Sequence, residues 1–139
     1  MKLASARRRE LLIGIPAVLI ALNAVAHHSG AMFDDTKSMT LAGTVKEFQW
    51  TNPHAWIFVM VPNRDGQLEE WAVEMGGPGQ IARNGWTAKT LEPGMDVKLT
   101  IHPLRDGSNG GQFMGITLPD GTKMGNPDQG QSAGNTNGL

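Results

Sequence analysis

The chain has 139 residues, which is too short for two ordinary domains, and its formal net charge is −1. The charge is unevenly distributed: residues 27–139 contain eight Lys or Arg and twelve Asp or Glu, and this acidic body argues against a nucleic-acid-binding protein. The absence of cysteine excludes disulfides, thiolate metal sites and a cysteine nucleophile.

Residues 1–26 have the pattern of a cleaved secretory signal peptide. A basic start precedes the apolar run 11–22, and Ala24 and Ala26 supply small residues before a cleavage position. The run is too short to span about 30 Å of hydrocarbon as a helix, and an uncleaved anchor is the alternative. The arginine pair at 8–9 resembles part of a twin-arginine signal, so export by that route and ordinary secretion both stay open. Either route predicts a periplasmic location.

The next part of the chain predicts three strands separated by turns. Residues 40–50 alternate as a strand in which Gly43 suggests a bulge or bend. An Asn-Pro turn follows, and the apolar residues 55–61 predict a strand buried on both faces. The Asp-Gly pair at 65–66 predicts a hairpin connection to a third strand over residues 67–75.

A short helix and two further strands complete the predicted domain. Residues 80–84 favour one or two helical turns, and Gly85 would end them because glycine is preferred just after a helix. Residues 95–104 alternate, which directs the apolar residue at every second position inward. Residues 112–118 predict the fifth strand.

The order of three strands, one helix and two strands is that of the OB-fold, a five-stranded Greek-key barrel. The predicted fold is therefore all-β, an OB-like five-stranded barrel over residues 36–124 with one short helix between strands 3 and 4. A β-sandwich of similar size is the alternative. An extended segment, residues 27–35, is expected before the barrel. Residues 125–139 are expected to be disordered because they bury too little apolar surface.

Histidines are the candidate metal ligands. Cleavage after Ala26 would make His27 the first residue, whose free amine and imidazole can chelate one Cu(II) together. His28 offers a second mode that also uses the intervening amide nitrogen. His54, beside the Asn-Pro turn, is the candidate further ligand that would complete a planar nitrogen set. The alternatives are a flexible polar start for the histidine pair and a turn-capping role for His54.

The same turn and the tryptophans supply the other candidate binding residues. Trp50, Asn52 and Pro53 lie immediately before His54 and would border a site at the barrel mouth. Trp86 lies outside any predicted strand, so it is the tryptophan expected to be exposed as a stacking platform. The alternative is that all four tryptophans fill the core.

Catalysis is not predicted. The sequence has no nucleophile-elbow serine and no glycine-rich phosphate loop. Glu69 and Glu70 are neighbours on a predicted strand and therefore point to opposite faces, so they cannot act as one carboxylate pair. A copper-dependent oxidase built on His27 is the hypothesis ranked last, because the chain is small and lacks a visible substrate cleft.

Six short motifs carry a family resemblance. They are Ala-His-His-Ser at 26–29, Leu-Ala-Gly-Thr-Val at 41–45, Trp-Thr-Asn-Pro-His at 50–54, Asn-Gly-Trp-Thr at 84–87, Leu-Glu-Pro-Gly at 91–94 and His-Pro-Leu-Arg-Asp-Gly at 102–107. Together they resemble a family of small exported bacterial proteins, the domain of unknown function 6152. The resemblance covers residues 26–122. It implies a periplasmic setting and an OB-like barrel, and it implies no established activity.

The sequence thus predicts a non-catalytic periplasmic binding protein that holds copper through His27, His28 and His54. The alternative is a metal-free interaction module, in which the apolar strand 55–61 docks an unknown periplasmic protein. Neither a nucleic-acid partner nor a membrane span after signal cleavage is expected.

Overall fold

The computed structural model describes residues 30–128, so the predicted signal peptide, His27 and His28 lie outside the described range. The strands are β1 (Met39–Gln49), β2 (Trp56–Pro62), β3 (Leu68–Glu74), β4 (Asp96–Pro103), β5 (Gly110–Thr117) and β6 (Lys123–Gly125). Helix α1 (Pro78–Ile81) continues into a 3-10 turn at Ala82–Asn84. In the described part of the chain, no helix has the length and apolar character needed to cross a membrane.

The first five strands close into a barrel. They follow the order β3-β2-β1-β4-β5 with antiparallel neighbours. The barrel closes where Ala72–Glu74 of β3 pair in parallel with Gly110–Gln112 of β5. Helix α1 lies between β3 and β4 along the chain. The prediction of an all-β, OB-like five-stranded barrel with one short helix between strands 3 and 4 is therefore confirmed.

The core is made by the inward-facing residues of the strands. In β4, Val97, Leu99 and Ile101 are buried, as the alternation predicts. In β2, Ile57 and Val59 are buried, whereas Trp56, Phe58 and Met60 on the other face are only partly covered. The prediction that β2 is buried on both faces is wrong, because one side of the barrel wall faces the core and residues 30–128 leave the other side partly exposed.

Strand β1 departs from a regular strand at Gly43 and at Lys46. A Cβ atom at Gly43 would lie 2.4 Å from the backbone oxygen of Met60, so the close approach of β2 requires glycine here. The register with β2 shifts between Val45 and Glu47, which places the bulge at Lys46. The first half of β1, Met39–Thr44, pairs with β4, and the second half, Thr44–Gln49, pairs with β2.

The amino-terminal segment is held against the end of β4. Residues 30–32 form a 3-10 turn, and Phe33 pairs with Leu104. The backbone N–H of Asp34 donates to the carbonyl of Pro103 over 2.8 Å. Residues 30–34 are therefore docked on the barrel, whereas the sequence predicted an extended segment.

The carboxyl-terminal part of the described chain covers the outer side of β4 and β5. Strand β6 pairs with β5. The Thr100 hydroxyl donates to the Pro127 carbonyl over 2.6 Å, so this outward-facing threonine is buried. Residues 125–128 thus pack on the barrel, whereas disorder was predicted from residue 125 onward. Residues 129–139 lie outside the described range.

Candidate histidine–carboxylate site

The side chains of His54 and Glu74 are in direct contact at one end of the barrel wall. Nδ1 of His54 contacts Oε1 of Glu74, and the side chains are 37% and 8% exposed. Because the carboxylate occupies Nδ1, Nε2 is the ring nitrogen that remains for a metal ion or another ligand. The ring therefore bonds a side-chain carboxylate, whereas the turn-capping alternative expected bonds to backbone carbonyls.

The turn before this histidine packs against the segment that follows β3. The peptide between Asn52 and Pro53 is cis. A Cβ atom at Gly77 would lie 2.6 Å from the Pro53 carbonyl oxygen, so the two segments are in close backbone contact. The Met75 N–H also donates to the Ala55 carbonyl over 2.9 Å. Backbone contacts on both sides of the histidine thus hold it beside the end of β3.

A cavity of about 310 Å³ lies beside the His54–Glu74 pair. It is bordered by the amino-terminal segment, the end of β3, α1 and the start of β5, through Phe33, His54, Glu74, Met75, Gly76, Gln80, Gln112 and Phe113. Phe33 is near the beginning of the described chain, and it lines the same cavity as His54. The amino-terminal segment therefore lies close to this histidine.

At the level of Glu74, the strand pairings align one residue from each of the five strands in a row around the outside of the barrel. Gln49, Trp56, Glu74, Gln112 and His102 are successive partners in the pairings of β1, β2, β3, β5 and β4. Directly paired residues share one face of a sheet. The carboxylate that contacts the histidine is therefore the immediate neighbour of an outward-facing tryptophan.

His102 is the second histidine of the described residues, and it has a different environment. Its Nδ1 lies 2.6 Å from the carbonyl oxygen of Lys37, so the ring ties the segment before β1 to β4. It does not line the cavity beside His54. His102 can therefore serve as the control residue when the function of His54 is tested by mutation.

Trp86 is buried in the core, so the prediction that it is an exposed stacking residue is wrong. It is 3% exposed, and its ring centroid lies 5.9 Å from that of Phe48 and 5.4 Å from that of Phe113. Gly85, with a φ of 86°, ends the preceding helical turn as predicted, and the next residue enters the core. Trp50 is half-buried and packs edge-on against Phe48 at 5.8 Å.

The remaining candidate residues are exposed, whereas two residues that the sequence did not point to are buried. Asn52 and Pro53 are exposed in the turn before His54. Glu74 and Phe33 are buried and were not among the candidates. Glu74 could have been recognised from the sequence, because it is a carboxylate flanked by apolar residues at the end of a strand. Phe33 could not, because its position depends on its pairing with Leu104, which is distant in the sequence.

An ionic network fixes the segment that carries Phe33. Asp34 accepts hydrogen bonds from the Lys37 ammonium over 2.8 Å and the Thr36 hydroxyl over 2.6 Å. These two contacts, the lysine first, lower the pKa of Asp34 to about 2. Arg105 approaches the same carboxylate at 3.7 Å. The network ties the chain before β1 to the loop after β4.

The described residues do not by themselves form a metal site. Within residues 30–128, no group of three or more His, Asp or Glu side chains is arranged to hold a metal ion. A metal bound at His54 would need nitrogen ligands from another part of the chain. The sequence candidates for that role are His27 and His28.

Comparisons with known proteins give one family and no curated relative. No curated protein matches. A crystal structure of the mitochondrial single-stranded DNA binding protein Rim1 from S. cerevisiae is 16% identical, with a TM-score of 0.43 over 63% of this chain and 95% of that chain. A selenomethionine-labelled structure of that protein is also 16% identical, with a TM-score of 0.42 over 60% of this chain and 93% of that chain. The model of a family of unknown function, DUF6152, matches residues 17–113. Because this match covers more than half of the sequence, the chain belongs to the DUF6152 family.

Proposed function

We propose that this protein is a non-catalytic exported protein that binds one copper ion between its mature amino terminus and His54. The contact between Nδ1 of His54 and the buried carboxylate of Glu74 is the observation that carries the proposal. A carboxylate on one ring nitrogen fixes the orientation of the ring and makes the other nitrogen a stronger ligand. Nε2 of His54 is therefore suited to bind a metal ion.

Chain length supports a contribution from the amino terminus. Phe33 lines the same cavity as His54, and His27 precedes Phe33 by six residues. Residues 30–32 form a 3-10 turn, so three residues separate His27 from this docked segment and keep it within about 10 Å of Gly30. After signal cleavage, the His27 amine and imidazole would supply two nitrogens and His54 a third, a set that suits the tetragonal preference of Cu(II). His28 offers the alternative mode through its preceding amide nitrogen.

Electron paramagnetic resonance during a Cu(II) titration tests this function. The sample is protein exported from its native signal, with the amino terminus established by intact mass. We expect a one-to-one, nitrogen-rich tetragonal signal that changes and weakens in His54→Ala. His102→Ala is the matched control, because His102 bonds a backbone carbonyl and does not line the cavity. An identical signal in His54→Ala, or a mature start other than His27, would contradict the proposal.

A second candidate function is a metal-free module that binds another protein. It is favoured by an apolar groove of about 620 Å³ that runs across β1 and β2 to the loop after β5. Leu68 lies on this groove and is 64% exposed. Site-specific photo-crosslinking at Leu68 in cells is the test, and replacing His27, His28 and His54 together should leave any crosslinked partner unchanged. Loss of that partner in the triple variant would argue against this candidate.

A further inference from the structure

Trp56 and Phe58 form an aromatic pair on the outer surface of β2. Their rings are nearly parallel, with an interplanar angle of 23° and centroids 6.5 Å apart. Ile57 and Val59 are completely buried, so the alternation of a strand directs Trp56 and Phe58 to the opposite, solvent-facing side. Both rings are half-buried, so part of each is accessible.

Polar side chains border this pair. In the register of β1 and β2, Gln49 lies opposite Trp56 and Glu47 lies opposite Phe58. The Gln49 amide donates to the Glu47 carboxylate over 3.0 Å, and both residues are accessible. On the other side of β2, Glu74 lies opposite Trp56. The accessible parts of the two rings are thus bordered by hydrogen-bonding side chains on the adjacent strands β1 and β3.

The charges on this face are unfavourable for an anion. Glu47 is exposed beside Phe58. Lys46, the cation at the bulge of β1, is already paired with the carboxylate of Glu70. A nucleic acid needs cations that can replace its counterions, so this arrangement disfavours a phosphate backbone and is compatible with an uncharged ligand.

We infer that the outer face of β2 binds a neutral oligosaccharide built of pyranose rings. The C–H groups on one face of a pyranose carry partial positive charge and pack against the electron-rich faces of aromatic rings. Sugar hydroxyls donate hydrogen bonds to carboxylate and amide oxygens, such as those of Glu47 and Gln49. The rings of Trp56 and Phe58 and the side chains of Glu47 and Gln49 include no proposed copper ligand, so either proposal can fail without the other.

Calorimetric titration with three neutral hexasaccharides, from the cellulose, chitin and amylose series, tests this inference. We expect at least one to bind, and we expect Trp56→Ala and Phe58→Ala each to weaken it at least about tenfold, as for other aromatic stacking contacts. Trp86→Phe is the matched aromatic control, because Trp86 is buried in the core against Phe48 and Phe113. It should leave the affinity unchanged. Circular dichroism and the Cu(II) titration of each variant monitor the fold and the proposed metal site separately.

Three results would overturn the inference. The first is that none of the three hexasaccharides binds. The second is that the affinity is unchanged in both Trp56→Ala and Phe58→Ala. The third is that oligothymidylate binds and Trp56→Ala abolishes this binding, which would identify the occupant as a nucleic acid.

Discussion

The buried carboxylate of Glu74 is in direct contact with the half-exposed imidazole of His54. A carboxylate is buried at a high cost in hydration unless a hydrogen-bond donor compensates it. The histidine supplies that donor from the turn before β2, so the two residues depend on each other. This dependence predicts that the environment of the imidazole changes when only the carboxylate is altered.

Glu74→Gln should weaken Cu(II) binding by about ten- to a hundredfold, the usual effect of removing a carboxylate behind a histidine ligand. The amide keeps the size of the side chain but lacks its negative charge. Competition with a chelator of known affinity measures the change. His102→Ala should bind Cu(II) as the unaltered protein does. Unchanged affinity in Glu74→Gln would mean that this carboxylate does not act on a metal ligand.

Trp86→Ala should lower the free energy of unfolding by roughly 3–5 kcal/mol, because it leaves a large cavity in the core. Trp86→Phe should cost less, since it keeps an aromatic ring beside Phe48 and Phe113. Urea unfolding followed by circular dichroism measures both. Leu68→Ala is the control, because this exposed side chain should contribute within about 0.5 kcal/mol. Equal losses in Trp86→Ala and Leu68→Ala would contradict the burial of the indole.

Gly43→Ala and Gly79→Ala should change stability in opposite directions. At Gly43 the new methyl would lie 2.4 Å from the Met60 backbone oxygen, so β1 or β2 must move at a cost of about 1–3 kcal/mol. At Gly79, within α1, the new methyl meets nothing within 4 Å. Alanine there should stabilise the protein by up to about 1 kcal/mol, because glycine is a poor helix former. Urea unfolding of the two variants compares the signs, and a stabilising Gly43→Ala would exclude the close approach.

The stability of the protein should fall between about pH 4 and pH 2 through Asp34. The pKa of Asp34 is lowered from 3.8 to about 2 in the folded chain, chiefly by Lys37 and then by Thr36. The folded state therefore favours the ionised carboxylate. Its contribution is complete above the unfolded pKa and is lost as the pH falls through the folded pKa.

Asp34→Asn should be less stable than the unaltered protein at pH 6, and its unfolding free energy should vary less between pH 4 and pH 2. Urea unfolding at a series of pH values measures this dependence. Lys37→Met should flatten the profile in the same range, because Lys37 is the largest cause of the shift. Coincident pH profiles for Asp34→Asn and the unaltered protein would refute the assignment.

The fold could be predicted where local patterns agree with the final contacts. The alternation in β4 and the Gly85 stop after the helical turn both depend on neighbouring residues, and both are confirmed. The order of three strands, one helix and two strands then indicated an OB-like barrel. The exact position of the bulge at Lys46 could not be derived in this way, because it depends on the register between β1 and β2.

The candidate site was only partly predictable, because its parts meet through distant pairings. His54 was identified by its place beside a rigid turn, but its partner Glu74 is brought to it by the pairing of β2 with β3. Trp86 was expected to be exposed because it follows a glycine outside any strand. Its burial follows from its position over Phe48 and Phe113, which a single sequence does not reveal.

The parallel pairing of β3 with β5 also limits how copies of this chain can associate. An open sheet offers the unpaired N–H and C=O groups of its edge strands to any other strand, which is a common route to aggregation. Here Ala72–Glu74 and Gly110–Gln112 satisfy each other's backbone groups, and β6 pairs with the later part of β5. Within residues 30–128, β3 and β5 therefore lack long continuous free edges. Strand addition is therefore disfavoured along the closed part of the barrel wall.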